Sequence, residues 1–221
     1  MNSALVMRLI AKDWYLSRVP LSLIAAAGAG STALLYLRNQ TAGIVAIIST
    51  VITLVFLSIL LPQLTIITER KERNLAFVMS LPISSMEYTA AKVLGNLSAF
   101  VVLWLAVSAG VLGTLWNAGF GGIIPLGVVI AFLPFVSFCM MLAVAIVKES
   151  EIWSMVTMGA FNVSYSFVWL AVIRFGLLAG ADSPVPIWNG RLLGILAVEI
   201  VAIVAALAAT FYLQSKKTDF V

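Results

Sequence analysis

Histidine is absent from this 221-residue sequence, and cysteine occurs once, as Cys139. The first absence removes the usual His-based metal, acid–base and nucleophile-activating sites. The second excludes an intrachain disulfide and any cysteine-based metal site. No Gly-x-x-x-x-Gly-Lys-Ser/Thr stretch is present either, so the chain has no phosphate-cradling loop of that kind. Charge is scarce as well, at 10% of residues, against roughly 25% in ordinary soluble domains. The 13 basic and 9 acidic residues leave only a modest positive excess, and no nucleic-acid partner is expected. Hydrophobic residues fill the space, at 62% of the chain. A soluble fold of this size could not bury that much apolar surface, which places the chain in the membrane class.

A helix needs about 20 apolar residues to cross the bilayer core. By that rule six spans are predicted, at 19–37, 43–68, 90–116, 123–147, 152–178 and 192–213, in an all-α polytopic fold. Residues 3–18 alternate Leu5, Val6, Leu9, Ile10 and Trp14 with Arg8, Lys12 and Asp13. That pattern predicts an amphipathic helix in the headgroup layer, with a simple lead-in to the first span as the alternative. Pro20 then falls in the first turn of a new helix, where proline is tolerated. The apolar stretch after these charges is long enough to span and has no convincing cleavage site, so a retained first span is expected rather than a signal peptide.

If six spans alternate, Arg8, Lys12, Arg18, Arg70, Lys71, Arg73, Lys92, Lys148, Lys216 and Lys217 share one side, and only Arg38 and Arg191 share the other. The excess of lysine and arginine predicts that both termini are cytoplasmic. On that side residues 69–84 read ERKERNLAFVMSLPIS. Ser84 and Glu87 fit a capping box that starts the third span, with Ile83 and Tyr88 as its hydrophobic staple. Pro82 disfavours helix at Leu81. The apolar run Leu75–Leu81 is therefore a separate short element, too greasy to stand uncovered.

These residues carry a resemblance. The amphipathic N-terminal helix, six spans and the loop Glu69-Arg70-Lys71-Glu72-Arg73-Asn74-Leu75 … Ser80-Leu81-Pro82-Ile83-Ser84 … Glu87-Tyr88 … Ala91-Lys92 resemble a type-2 ABC exporter permease. The resemblance implies that residues 72–82 form a coupling helix docking on a separate ABC ATPase subunit. Its contacts would be Glu72, Arg73, Asn74, Leu75, Phe77, Val78, Met79 and Leu81. It also implies two permease copies, as a homodimer, with two ATPases in a bacterial inner membrane. No cofactor is expected in this chain itself, because ATP and Mg would sit on the ATPase partner, and the chain is expected to be non-catalytic. Spans two and five line the translocation path in that family. Polar residues inside spans are expensive in hydrocarbon, which points to Thr53 and Gln63 in span two and Asn162 and Tyr165 in span five.

Glu199 and Arg174 lie about 10 Å and 9 Å below the outer surface on spans six and five, by helical rise. Equal depth makes them a candidate intramembrane charge pair, serving either as a structural clamp or as a proton or cation site. Ala26-x-x-x-Gly30 and Gly176-x-x-x-Gly180 have the small-residue spacing of close helix contacts. Pro62, Pro125 and Pro134 are candidate kinks. Two further functional classes fit less well. An ion-gradient-driven secondary transporter would ideally show internal repeats, and a non-transporting membrane immunity or interaction protein would not need polar stripes in two spans.

Overall fold

The computed structural model describes residues 3–37, 39–71, 84–148, 150–178, 180–181 and 183–216. The expected contacts of the coupling segment, from Glu72 to Leu81, all lie outside the described residues. The helices are α1 (Ser3–Leu35), α2 (Gln40–Pro62), a π-helical turn (Gln63–Ile67), α3 (Thr68–Lys71), α4 (Ser85–Asn117), α5 (Ile124–Val147), α6 (Glu151–Arg174) and α7 (Gly190–Ser215). No strand occurs among the described residues. Six of the helical segments are long and apolar enough to cross a membrane, matching the predicted number. This is an all-helical, multi-pass architecture.

Helix α1 corrects the expected break between an interfacial helix at 3–18 and a span at 19–37. Residues 3–35 form one helix, with Pro20 in its interior. At 1.5 Å per residue it is about 50 Å long, well beyond the ~30 Å hydrocarbon core. Packing outweighs the lost backbone donor: Leu21 and Ile24, in the turn that follows Pro20, are buried in the main core. Close approach is set by Gly28, where an added Cβ would meet Val107 of α4 at 2.4 Å. Neither member of the predicted pair makes this contact: Ala26 and Gly30 are both exposed, and Gly30 faces open space.

Helix starts follow the sequence closely. Ser84 caps α4 through a complete capping box: the Glu87 amide donates to Ser84 Oγ at 3.2 Å, and the Ser84 amide donates to Glu87 Oε2 at 2.9 Å. Asn39 and Asn189 cap α2 and α7 by accepting from the amides of Ala42 and Leu192. Pro125 sits in the first turn of α5, where its missing N–H costs nothing, so it is no kink. Pro134 is interior to the same helix. At the other end of α6 the sequence misled. The helix stops at Arg174, and Gly176 (φ +59°) and Gly180 (φ +90°) adopt left-handed backbone instead of extending the span to 178. Their four-residue spacing is thus not a helical packing motif.

The main core joins α1, α2, α4, α5 and α7. Phe100 of α4 stacks on Phe138 of α5, with ring centroids 4.1 Å apart, and Trp104 donates its indole N–H to the Ala131 carbonyl at 2.6 Å. A smaller cluster, including Leu126, Val172, Leu177 and Leu192, ties α5, α6 and α7 together at one end of the bundle. Helix α6 is the least covered: 6% of its most apolar window is buried, against 56% for α5.

Candidate functional site

The most heavily charged place among the described residues is the junction of α1, α3 and α4. Asp13 (3% exposed), Glu69 (7%) and Lys92 (1%) are all buried there. The Lys92 ammonium donates to both Asp13 carboxylate oxygens at 3.1 and 3.0 Å and to the Thr65 carbonyl at 2.8 Å, and pairs with Glu69 Oε2 at 2.6 Å. Lys12, more exposed, pairs with the other Glu69 oxygen. Two cations and two anions thus face one another, and the cluster is neutral. Burying charges is costly unless each finds good partners, and here Lys92 donates to α1 and the π-helical turn and forms an ion pair with α3.

Two features of the chain make this geometry possible. The π-helical turn directly follows Pro62, which lacks the amide needed to bond the Ser58 carbonyl. The turn is closed by Thr68, whose amide and hydroxyl both donate to the Gln63 carbonyl. Behind the charges, the Thr65 hydroxyl donates to Asn96 Oδ1 at 2.8 Å, and Asn96 donates to the Lys92 carbonyl at 2.8 Å. Gly95 completes the approach of α1, because the backbone and side chain of Ile10 come within van der Waals distance of where its Cβ would be.

Burial disfavours ionisation of Glu69, but Lys92 and Lys12 outweigh it and hold its carboxyl below the ordinary value of 4.5. A carboxylate held low stabilises the fold above its unfolded-state value, and that contribution is lost as the pH falls through the lowered folded-state value. The stability difference between wild type and Glu69→Gln is therefore expected to be full above pH 4.5 and to shrink on acidification below it. Thermal melts of both proteins across that range measure it. Among the described residues, Lys92, Lys12 and Asp13 are the charged groups that act on Glu69. A constant difference down to pH 3 would contradict the assignment.

This cluster escaped the sequence reading as a unit, although one signal was there. Lys92 lies inside the predicted third span, and a lysine in a span asks for a partner. Its partners are 79 and 23 residues away in sequence, so spacing alone did not pick them out.

The predicted path residues are not brought together by hydrogen bonds to one another. The Thr53 hydroxyl donates to the Ser49 carbonyl and the Asn162 amide to the Met158 carbonyl, each satisfying its own helix backbone. Asn162 is exposed on α6, and Gln63 opens the π-helical turn. Tyr165 is half-buried, and its hydroxyl has no hydrogen-bond partner at ordinary distance among the described residues.

The expected Arg174–Glu199 pair does not form. Arg174 ends α6 on an exposed face, while Glu199 is buried on α7 and neither of its oxygens has a hydrogen-bond partner among the described residues. The early end of α6 accounts for the mismatch: equal depth assumed a helix continuing to 178, which the left-handed glycines prevent. Arg191, not Arg174, shares a groove with Glu199.

No protein-family model, curated protein or solved structure matches this chain. The functional reading therefore rests on its own residues and geometry.

Proposed function

We propose that this chain is the membrane-spanning permease subunit of an ATP-binding-cassette exporter, in a bacterial inner membrane with both termini in the cytoplasm. Two copies would work with two separate ATP-binding subunits. The observation that carries the reading is the buried charge cluster at the two edges of residues 72–83. Glu69 enters that segment and Lys92 lies just beyond its exit, and both are fixed to α1 through Asp13 and Lys12. A push on the apolar stretch Leu75–Leu81 would thus reach three helices through ion pairs that do not stretch easily. In this scheme nucleotide-driven closure of the partner supplies the push, and Thr53, Gln63, Asn162 and Tyr165 belong to the path that opens.

The bareness of α6 supports a second copy. Asn162 and Ser164 lie on its exposed surface, and polar groups facing lipid are disfavoured unless another helix covers them. The test asks first whether the neighbouring gene encodes such an ATPase, and then whether the two proteins assemble. Leu75→Asp and Phe77→Asp are expected to abolish co-purification with it and to stop ATP-dependent export from vesicles. Undiminished assembly and transport in both variants would sink the docking idea.

A further inference from the structure

We propose that the groove ending at Glu199 is a binding site for a lipophilic organic cation carrying one positive charge. The proposal deepens the exporter reading by naming a cargo class, and it rests on that reading only for transport, since binding itself needs no ATPase. The groove, of about 620 Å³, runs between α5, the turn after α6, and α7. That is within the usual size range of small-molecule sites, roughly 300–1,000 Å³. Its walls are apolar, from Leu133, Leu177, Ile195 and Val198, with Phe175 adding an aromatic ring.

Among the described residues that line it, charge enters at two points. Arg191 is held at one end by donating to the Phe175 carbonyl at 3.1 Å. Glu199 lies eight residues farther along α7, about 12 Å by helical rise. Glu199 is 5% exposed, and both of its oxygens lack a hydrogen-bond partner among the described residues. A carboxyl left alone at this depth is expensive, and a cation beside it would be attracted with little dilution by water.

The surroundings favour an organic cation over a metal ion. Calcium and magnesium take several oxygen ligands, and no cluster of three candidate metal-binding side chains occurs among the described residues. A neutral lipid tail would fill the walls but leave Glu199 unpaired. The Phe175 ring adds a face on which a cation can rest. Access is sideways: Val198 and Phe175 are 68% and 57% exposed, so a ligand dissolved in the bilayer reaches the groove without passing Arg191.

The experiment titrates tetraphenylphosphonium against the purified chain in lipid nanodiscs, without any ATPase, by equilibrium dialysis. Saturable binding is expected, weakened at least tenfold in Glu199→Gln. Gly194 lines the same groove, and a Cβ there meets nothing within 4 Å. Gly194→Phe should therefore fill the groove without disturbing the backbone, and should weaken binding as much while leaving the carboxyl in place. Wild-type affinity in both variants, or no saturable binding to the wild type, would overturn the proposal; the latter result includes a groove covered by a second copy. Loss of ATPase pairing with binding intact would refute the exporter reading alone. Intact pairing with no Glu199-dependent binding would refute this site alone.

Discussion

Lys92→Met is expected to destabilise the protein by about 3–5 kcal/mol, the usual cost of removing one partner from a buried charge pair. The methionine fills nearly the same volume, so the loss is electrostatic rather than steric. Without the ammonium, Asp13 keeps only Lys12, at 4.0 Å, among the described residues, and Glu69 loses its 2.6 Å contact. The Thr65 carbonyl loses the Lys92 donor as well. Thermal melts in detergent would read the effect as a large fall in midpoint. Lys12→Met should do far less, because that side chain is 39% exposed and water can replace it. The decisive control is the triple variant Lys92→Met, Asp13→Asn, Glu69→Gln. Removing the stranded anions along with the cation should recover much of the loss, since neutral groups avoid the desolvation cost. A triple variant no better than Lys92→Met would show that the charges were not the source of stability.

Phe100→Ala is expected to cost about 3 kcal/mol, at the lower end of the range for buried phenylalanines in soluble proteins. The ring is fully buried, stacked on Phe138 and tilted against Phe135 at 5.2 Å. In a bilayer the unfolded helices are already in hydrocarbon, so expelling the ring from water no longer contributes to folding. What remains is the cavity and its lost dispersion contacts. Phe167→Ala on α6, where the ring is 64% exposed, should change the melting midpoint little. Equal effects at the two sites would mean that the aromatic stack is not part of a packed core.

The parts of this fold that the sequence made legible are those decided by local chemistry. Six apolar stretches predicted six spanning helices, and Ser84 with Glu87 predicted a cap that the structure contains atom for atom. Where tertiary contacts overrode local preference, the reading failed. Pro20 looked like a boundary, but burial of Leu21 and Ile24 and anchoring of Asp13 carry α1 straight through it. Gly176 and Gly180 looked like helix-packing residues because their spacing fits a helix, and only backbone torsions reveal the turn. The Arg174–Glu199 pairing inherited that error. Of the charged cluster, Lys92 alone stood out, as a charge inside a predicted span, and its joining to Asp13 depends on how three helices cross.

The π-helical turn after Pro62 has a consequence for chain length. Around an unbroken helix Leu61 and Glu69, eight residues apart, would point about 80° away from each other. Absorbing one extra residue brings them within about 20°, on the same buried face. The turn acts as a phase adjuster, aligning an acidic residue with a stripe of apolar ones. Straightening these residues into α-helix without shortening the chain would aim Glu69 away from Lys92, whereas deleting one residue between Gln63 and Ile67 would leave an ordinary helix with Glu69 still on that face. What is held in this stretch is the angle between its two ends, and the extra residue is accommodated rather than required.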